Sequence, residues 1–233
     1  MKLLLISNST NAGEPYLQYP MPRIAEFLAG VRNVAFVPYA AVTFSYDEYE
    51  RRVAERFAPL GLRIESVHRA VDPAAAIRHA DAVCVGGGNT FALARKMQQQ
   101  GLMQAIRRKI QSGAPYVGWS AGSNVCCPTI CTTNDMPIVQ PESFRAIGAV
   151  RFQINPHYLD ANPDGHAGET REQRLLEFIA ANPRRYAVGL REGCMLRLED
   201  GRLELIGPRP MRIFKKGVAP YEVSAGDDLS FLL

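Results

Sequence analysis

The first 120 residues switch repeatedly between two hydrophobic periods, and that switching restricts the fold more than any other feature. Short runs rich in apolar and β-branched residues ("KLLLIS", "NVAFVPYA", "RIESVH", "DAVCVGGG" and "PYVGW") are each closed by turn residues or glycine, as buried strands are. Between them lie segments with helical spacing. "IAEFLAG" ends at Gly30. "SYDEYERRVAERFAPLG" starts at Ser45 as N-cap and stops at Gly61. "VDPAAAIRHA" offers Asp72 as cap and Pro73 at the first helical position, and Thr90 to Ser112 reads as a helix broken at Gly101. A strand followed by a helix, repeated, returns each strand parallel to the last. The expected core is therefore a mostly parallel sheet with helices on both faces.

After Cys127 the pattern changes. Pro128 to Pro141 is polar and Pro-containing and reads as a loop. "VRFQINPHY" and "RYAVGL" are strand-like, with the amphipathic "TREQRLLEFIAA" between them. "MLRLEDGRLELIG" alternates about Glu199-Asp200-Gly201, a hairpin signal, and "RIFKKG" and "YEVSAG" suggest further short antiparallel strands. The expectation is an α/β fold, a three-layer sandwich whose mostly parallel central sheet has an antiparallel C-terminal edge. With 233 residues, 47% hydrophobic and 21% charged, and no linker or repeat, a single domain spanning 1–233 is expected.

Charge narrows the partners. The net charge of +4 is spread over short clusters, so no nucleic-acid or membrane surface is expected, and an acidic small molecule is compatible. The apolar run Leu3–Ile6 is too short for a signal or membrane segment, which points to a cytoplasmic protein. Five cysteines without a C-x-x-C pair read as reduced thiols. Four histidines without H-E-x-x-H make a protein-held metal or cofactor unexpected. Monomer and homodimer both remain open.

The chemistry concentrates at Gly118-Trp119-Ser120-Ala121-Gly122, which fits G-x-S-x-G at a strand-to-helix turn. That spacing lets backbones pass closely and projects the serine above the strand ends. A second cluster, Gly86-Gly87-Gly88-Asn89-Thr90, closes another strand and can aim N–H groups at an anion. It lacks the spacing of a phosphate loop. Gly88 and Ala121 N–H are thus expected to form an oxyanion hole. Serine needs a base. His79 falls on a helix surface and His68 one unit too early, which leaves His157, at a strand end after Ser120, ahead of His166 in a polar loop. Glu192 follows "RYAVGL" and is preferred as the acid on topology. Asp135, Asp160 and Asp164 are its rivals, with Asp135 the strongest.

The motifs "LLLISNST", "VGGGNTF", "GWSAGSN", "TTNDMPIV", "QINPHY", "GHAGETREQR" and "GLREG" together resemble the α-aspartyl dipeptidases of peptidase family S51 along nearly the whole chain. The resemblance implies a fold like that of class I glutamine amidotransferases and hydrolysis of dipeptides with an N-terminal aspartate. It implies a Ser–His–Glu triad at Ser120, His157 and Glu192, with Asp135 in a secondary, ordering role. It also implies a substrate-recognition segment containing His166 and Arg171. A guanidinium at Arg171 would fork onto the aspartyl carboxylate, Asn89 and Thr90 would add hydrogen bonds, and the loops Pro128–Pro141 and Pro156–Thr170 would wall a small pocket. Without the resemblance, Arg171 reads as a helix-start cation paired with Glu169 or Glu172. Two other readings compete: a cyanophycinase-like hydrolase of β-aspartyl bonds, and a binding protein whose elbow is idle.

Overall fold

The computed structural model describes residues 1–162, 164–165 and 167–233. The strand–helix series forms as its sequence pattern requires. β1 (Lys2–Ile6), β2 (Asn33–Val37), β3 (Arg63–Ser66), β4 (Ala82–Val85) and β5 (Pro115–Trp119) are parallel neighbours in the order β3-β2-β4-β5-β1. The hairpin β8 (Met195–Glu199) and β9 (Arg202–Ile206) then adds an antiparallel edge beside β1. The expected mixed α/β sheet with an antiparallel C-terminal edge is therefore present.

Alternation along the strands divides the core. Leu4, Ile6, Phe36, Cys84, Val117 and Trp119 face the helices α1 (Met21–Phe27) and α2 (Tyr46–Phe57). Leu3, Leu5, Val37, Val85 and Tyr116 face the opposite layer, formed by α3 (Pro73–His79), α4 (Thr90–Gln99) and α5 (Leu102–Gln111). Ser45, Asp72 and Asn89 each accept a backbone N–H as caps of α2, α3 and α4. Gly101 takes a left-handed conformation between α4 and α5, which is why the long helical pattern breaks there.

One expectation needs correction. The remaining strands do not extend the same sheet. β6 (Gln153–Tyr158), β7 (Tyr186–Arg191), β10 (Met211–Lys215) and β11 (Val218–Val223) form a second sheet in the order β11-β10-β7-β6. Within it β6 and β7 are parallel, joined by α7 (Arg171–Ala181), while β10 is antiparallel to both its neighbours. Its inner face (Ile154, Val188, Leu190, Ile213) joins the core of the first sheet, and Ala187 and Phe214 on its other face bury Leu175 and Ile179 of α7. Among the described residues no helix is long and apolar enough to cross a membrane.

Candidate active site

Ser120 sits where β5 turns directly into α6 (Ala121–Asn124), with φ 53° and ψ −113°. A non-glycine residue there is strained, and the surroundings must hold it. They do so from both sides. The Ser120 N–H donates to Ile6 O at 3.0 Å, and the Ser120 carbonyl accepts the N–H groups of Ser123 and Asn124. Ser123 Oγ, fully buried, contacts the carbonyl oxygens of Ile6 (2.7 Å) and Gly118 (2.8 Å). Gly122 packs so tightly on β4 that a Cβ there would overlap Val85 O. The expected elbow is thus present, although α6 has only four residues before it gives way to turns reaching Cys127.

The imidazole arrives from the second sheet. β6 loses register with β7 between Asn155 and Tyr158, and His157 adopts φ 54° in that bulge. A bulge redirects a side chain out of the ladder. Here it brings His157 Nε2 to 2.8 Å from Ser120 Oγ. β7 ends beside β6 because the two are parallel neighbours, and the next residue, Glu192, places Oε1 2.6 Å from His157 Nδ1. Among the described residues Glu192 is the only acid of those weighed that hydrogen-bonds His157. Asp160 is held by Arg191 through two of its guanidinium nitrogens, and Asp135 accepts the Thr90 N–H at 2.7 Å and lies 3.0 Å from Thr133 Oγ. The sequence argument that all three groups stand on one sheet rim is therefore amended. Ser120 belongs to the tip of the first sheet, and His157 and Glu192 to adjacent tips of the second.

The glycine cluster lies against the serine. A Cβ on Gly87 would stand 3.0 Å from Ser120 Cβ, and one on Gly88 (φ +130°) would overlap Ala40 O. Tyr49 OH donates to Gly87 O at 2.9 Å and receives the Trp119 indole N–H at 3.2 Å, tying the cluster to the elbow strand. Burial pushes the Tyr49 phenol up to about 12, so it remains a donor. Among the described residues neither Gly88 nor Ala121 N–H has an acceptor.

Of the residues expected to bind substrate, Asn89 and Thr90 serve the scaffold. Asn89 Oδ1 accepts the Ala92 N–H and its amide nitrogen donates to Met136 O, while Thr90 is buried with its N–H on Asp135 and its hydroxyl 2.9 Å from Thr133 Oγ. This anchors the loop after the elbow to α4. Arg171 begins α7 behind the cap Thr170. The acids its simplest sequence reading paired it with are engaged elsewhere: Glu169 with Arg174 at 3.8 Å and Glu172 with Arg212 at 2.8 Å. Burial holds the Arg171 guanidinium below its usual range, Arg174 adds to the effect, and Asp135 opposes it. His166 lies outside the described residues.

Sequence reasoning missed the groups that hold the site together. Ser7 and Asn8, at the tip of β1, bind the backbones of His157 and Gly193. Asn134 receives the Asn155 amide and donates to Pro156 O, both at 2.6 Å, beneath the bulge. The available signal is the pair of short polar residues Ser7-Asn8 directly after the apolar run Leu3–Ile6. As a metal candidate, Asp47, Glu50 and His68 bring ligand atoms within 4.8 Å of one another, but Arg69 pairs with both carboxylates and His68 Nδ1 faces Ser66. The cluster is internally satisfied.

Comparison with known proteins places the chain in a family. Residues 3–206 match the model of peptidase family S51. The chain is 48% identical over 233 residues to a protein named Peptidase E from Nostoc sp., covering 100% of this chain and 96% of that one. It is 46% identical over 226 residues to a Peptidase E from Salmonella newport, covering 97% and 99%. A crystal structure of a peptidase from an acI-B1 Actinobacterium superposes with a TM-score of 0.72 at 19% identity, covering 99% of this chain and 96% of that one. A putative peptidase E from Listeria monocytogenes gives 0.66 at 21%, covering 89% and 98%. With the family model spanning most of its length and relatives near half identity along all of it, the chain belongs to peptidase family S51.

Proposed function

We propose that this peptidase is a serine-type enzyme that hydrolyses dipeptides carrying an N-terminal aspartate. The observation that carries the serine mechanism is the unbroken hydrogen-bonded chain Ser120 Oγ–His157–Glu192, at 2.8 and 2.6 Å. His157 Nε2 accepts the Ser120 proton as Oγ attacks the aspartyl carbonyl. The developing oxyanion takes up the free N–H groups of Gly88 and Ala121, donors fixed before the substrate arrives. Glu192 keeps the Nδ1 proton in place and balances the charge that the ring gains. His157 then returns the proton to the leaving amine, and water releases the acyl group by the same steps in reverse order.

Aspartate recognition rests on Arg171. A half-buried guanidinium without an ion-pair partner among the described residues is unusual, because burial of a lone charge is unfavourable. The aspartyl side-chain carboxylate supplies the missing partner in a two-pronged geometry. The relatives named Peptidase E support peptide-bond hydrolysis as the reaction.

The test compares Asp-Leu with Leu-Asp and with β-aspartyl-Leu, for the native chain, Ser120→Ala and Arg171→Ala. Hydrolysis of Asp-Leu alone, lost in Ser120→Ala, is the expected result. Arg171→Ala is expected to stay folded and lose its preference for aspartate. Undiminished Asp-Leu turnover in Arg171→Ala retires the specificity assignment, and turnover in Ser120→Ala retires the mechanism.

A further inference from the structure

The tip of β1 binds the backbone of His157 and of the residue after Glu192 without contributing to the chain of three. Ser7 has no exposed surface. Its hydroxyl donates to Leu190 O at 2.7 Å, so its lone pairs are free to accept, and they receive the His157 backbone N–H at 2.9 Å. Its own N–H is spent on Cys194 O at 3.0 Å. Asn8, equally buried, accepts the Gly193 N–H at 2.9 Å and the Tyr19 hydroxyl at 2.7 Å through Oδ1. Two consecutive side chains thus fix the backbone at the base and immediately beyond the acid.

The reason for this device lies in the bulge. Lifting His157 out of the β6–β7 ladder deprives its N–H of a strand acceptor and leaves the residue at φ 54°, a region that L-residues avoid. Among the described residues the acceptor of that N–H is the Ser7 hydroxyl. The first sheet supplies it from the strand directly beside the elbow strand, since β1 pairs with β5. The same oxygen ties down Leu190, two residues before Glu192. We infer that Ser7 is a positioning residue that holds the bulged His157 backbone at the distance its ring needs to reach Ser120, an inference that rests on the proposed serine mechanism. Ser7 is fully buried, and its effect passes through the backbones of His157 and Leu190.

Removing the hydroxyl leaves a buried N–H unpaired and frees the bulge to relax. Displacement of a reacting group by about 1 Å typically costs on the order of 100-fold in rate. Ser7→Ala is therefore expected to lower kcat for Asp-Leu roughly 10- to 100-fold, with KM nearly unchanged, since no binding contact is lost. The far-downfield proton resonance of His157 Nδ1 is expected to shift or broaden in the same variant, well below its unfolding temperature. A purely structural residue would lower the unfolding temperature and leave both readouts alone. Ser7→Cys fills the same space with a poor acceptor, stands in should the alanine variant not fold, and is expected to lose kcat as well. A folded Ser7→Ala or Ser7→Cys protein with kcat within about twofold of the native value and an unmoved resonance overturns the inference. Ser120→Ala is assayed alongside. Residual turnover there sinks the mechanism itself, whereas an inactive Ser120→Ala beside a fully active Ser7→Ala sinks the positioning role only.

Discussion

Replacing Glu192 by glutamine keeps the shape of the side chain and an oxygen opposite His157 Nδ1, and removes one negative charge. The cost follows from where that charge sits. The carboxylate and imidazole are joined at 2.6 Å, with side chains 44% and 38% exposed, respectively. For charge centres about 4 Å apart, the attraction between carboxylate and imidazolium is about 4 kcal/mol at an effective dielectric of 20 and about 1 kcal/mol in bulk water. Solvent reaches both groups, so the screened value falls between these limits, about 2–3 kcal/mol. Each 1.36 kcal/mol is a factor of ten, so Glu192→Gln is expected to reduce kcat about 30- to 150-fold. That is far less than the roughly 10⁴-fold loss seen when a buried triad acid becomes an amide. KM should change little, because the ring acquires its charge only as the reaction proceeds. Steady-state hydrolysis of Asp-Leu measures both constants. A kcat within about twofold of native would refute the electrostatic role of Glu192, and a collapse to the level of Ser120→Ala would refute the reasoning from exposure.

Two further outcomes follow from the scaffold. Gly122→Ala forces a Cβ into Val85 O, a backbone atom that cannot step aside; overpacking of this kind costs about 3 kcal/mol, which lowers the unfolding temperature by about 6–12 °C in a chain of this length. An unchanged unfolding temperature would mean that α6 is not seated on β4 as described. Hydrogen bonds from the buried Arg191 hold the Asp160 and Glu222 carboxyls below their ordinary values of 3.8 and 4.5. Groups with depressed values stabilise the fold fully above those ordinary values and lose that contribution as pH falls through the folded ones. The unfolding temperature of the native chain should therefore decline more steeply below about pH 4.5 than that of Arg191→Met, and parallel curves would contradict the linkage.

The strand–helix series was legible because local chemistry and tertiary burial agree there. Ser45 and Asp72 act as caps in the sequence pattern and in the fold alike, and Gly101 breaks the long helical pattern where the backbone turns left-handed. The second sheet was not legible. The alternation of "RYAVGL" and "RIFKKG" specifies strands but carries no information on which sheet they join, since pairing is decided by contacts far apart in sequence. The elbow could be located from Gly118, Ser120 and Gly122, whose spacing is a steric requirement of one local turn. The sequence places His157 at a strand end, which is an incomplete account of its position. It stands at a bulge in β6 rather than on the rim of the first sheet, and a bulge leaves no trace in a hydrophobic pattern. Asn89 and Thr90 were read as ligands for a substrate, yet their polar groups are turned inward to α4 and the loop at Asp135. Ser7 and Asn8 looked like ordinary turn residues, and only the arrival of β6 and β7 shows what they bind.

The central claim is that the Ser120 hydroxyl, made nucleophilic by His157, forms the bond to the substrate acyl group. Incubation with a fluorophosphonate probe, followed by mass analysis of the peptide containing Ser120, tests it directly. One adduct per chain on Ser120, slowed by excess Asp-Leu and absent in His157→Ala, is the result expected. Continued hydrolysis of Asp-Leu by a chain whose Ser120 carries the adduct, or has been replaced by alanine, would contradict it.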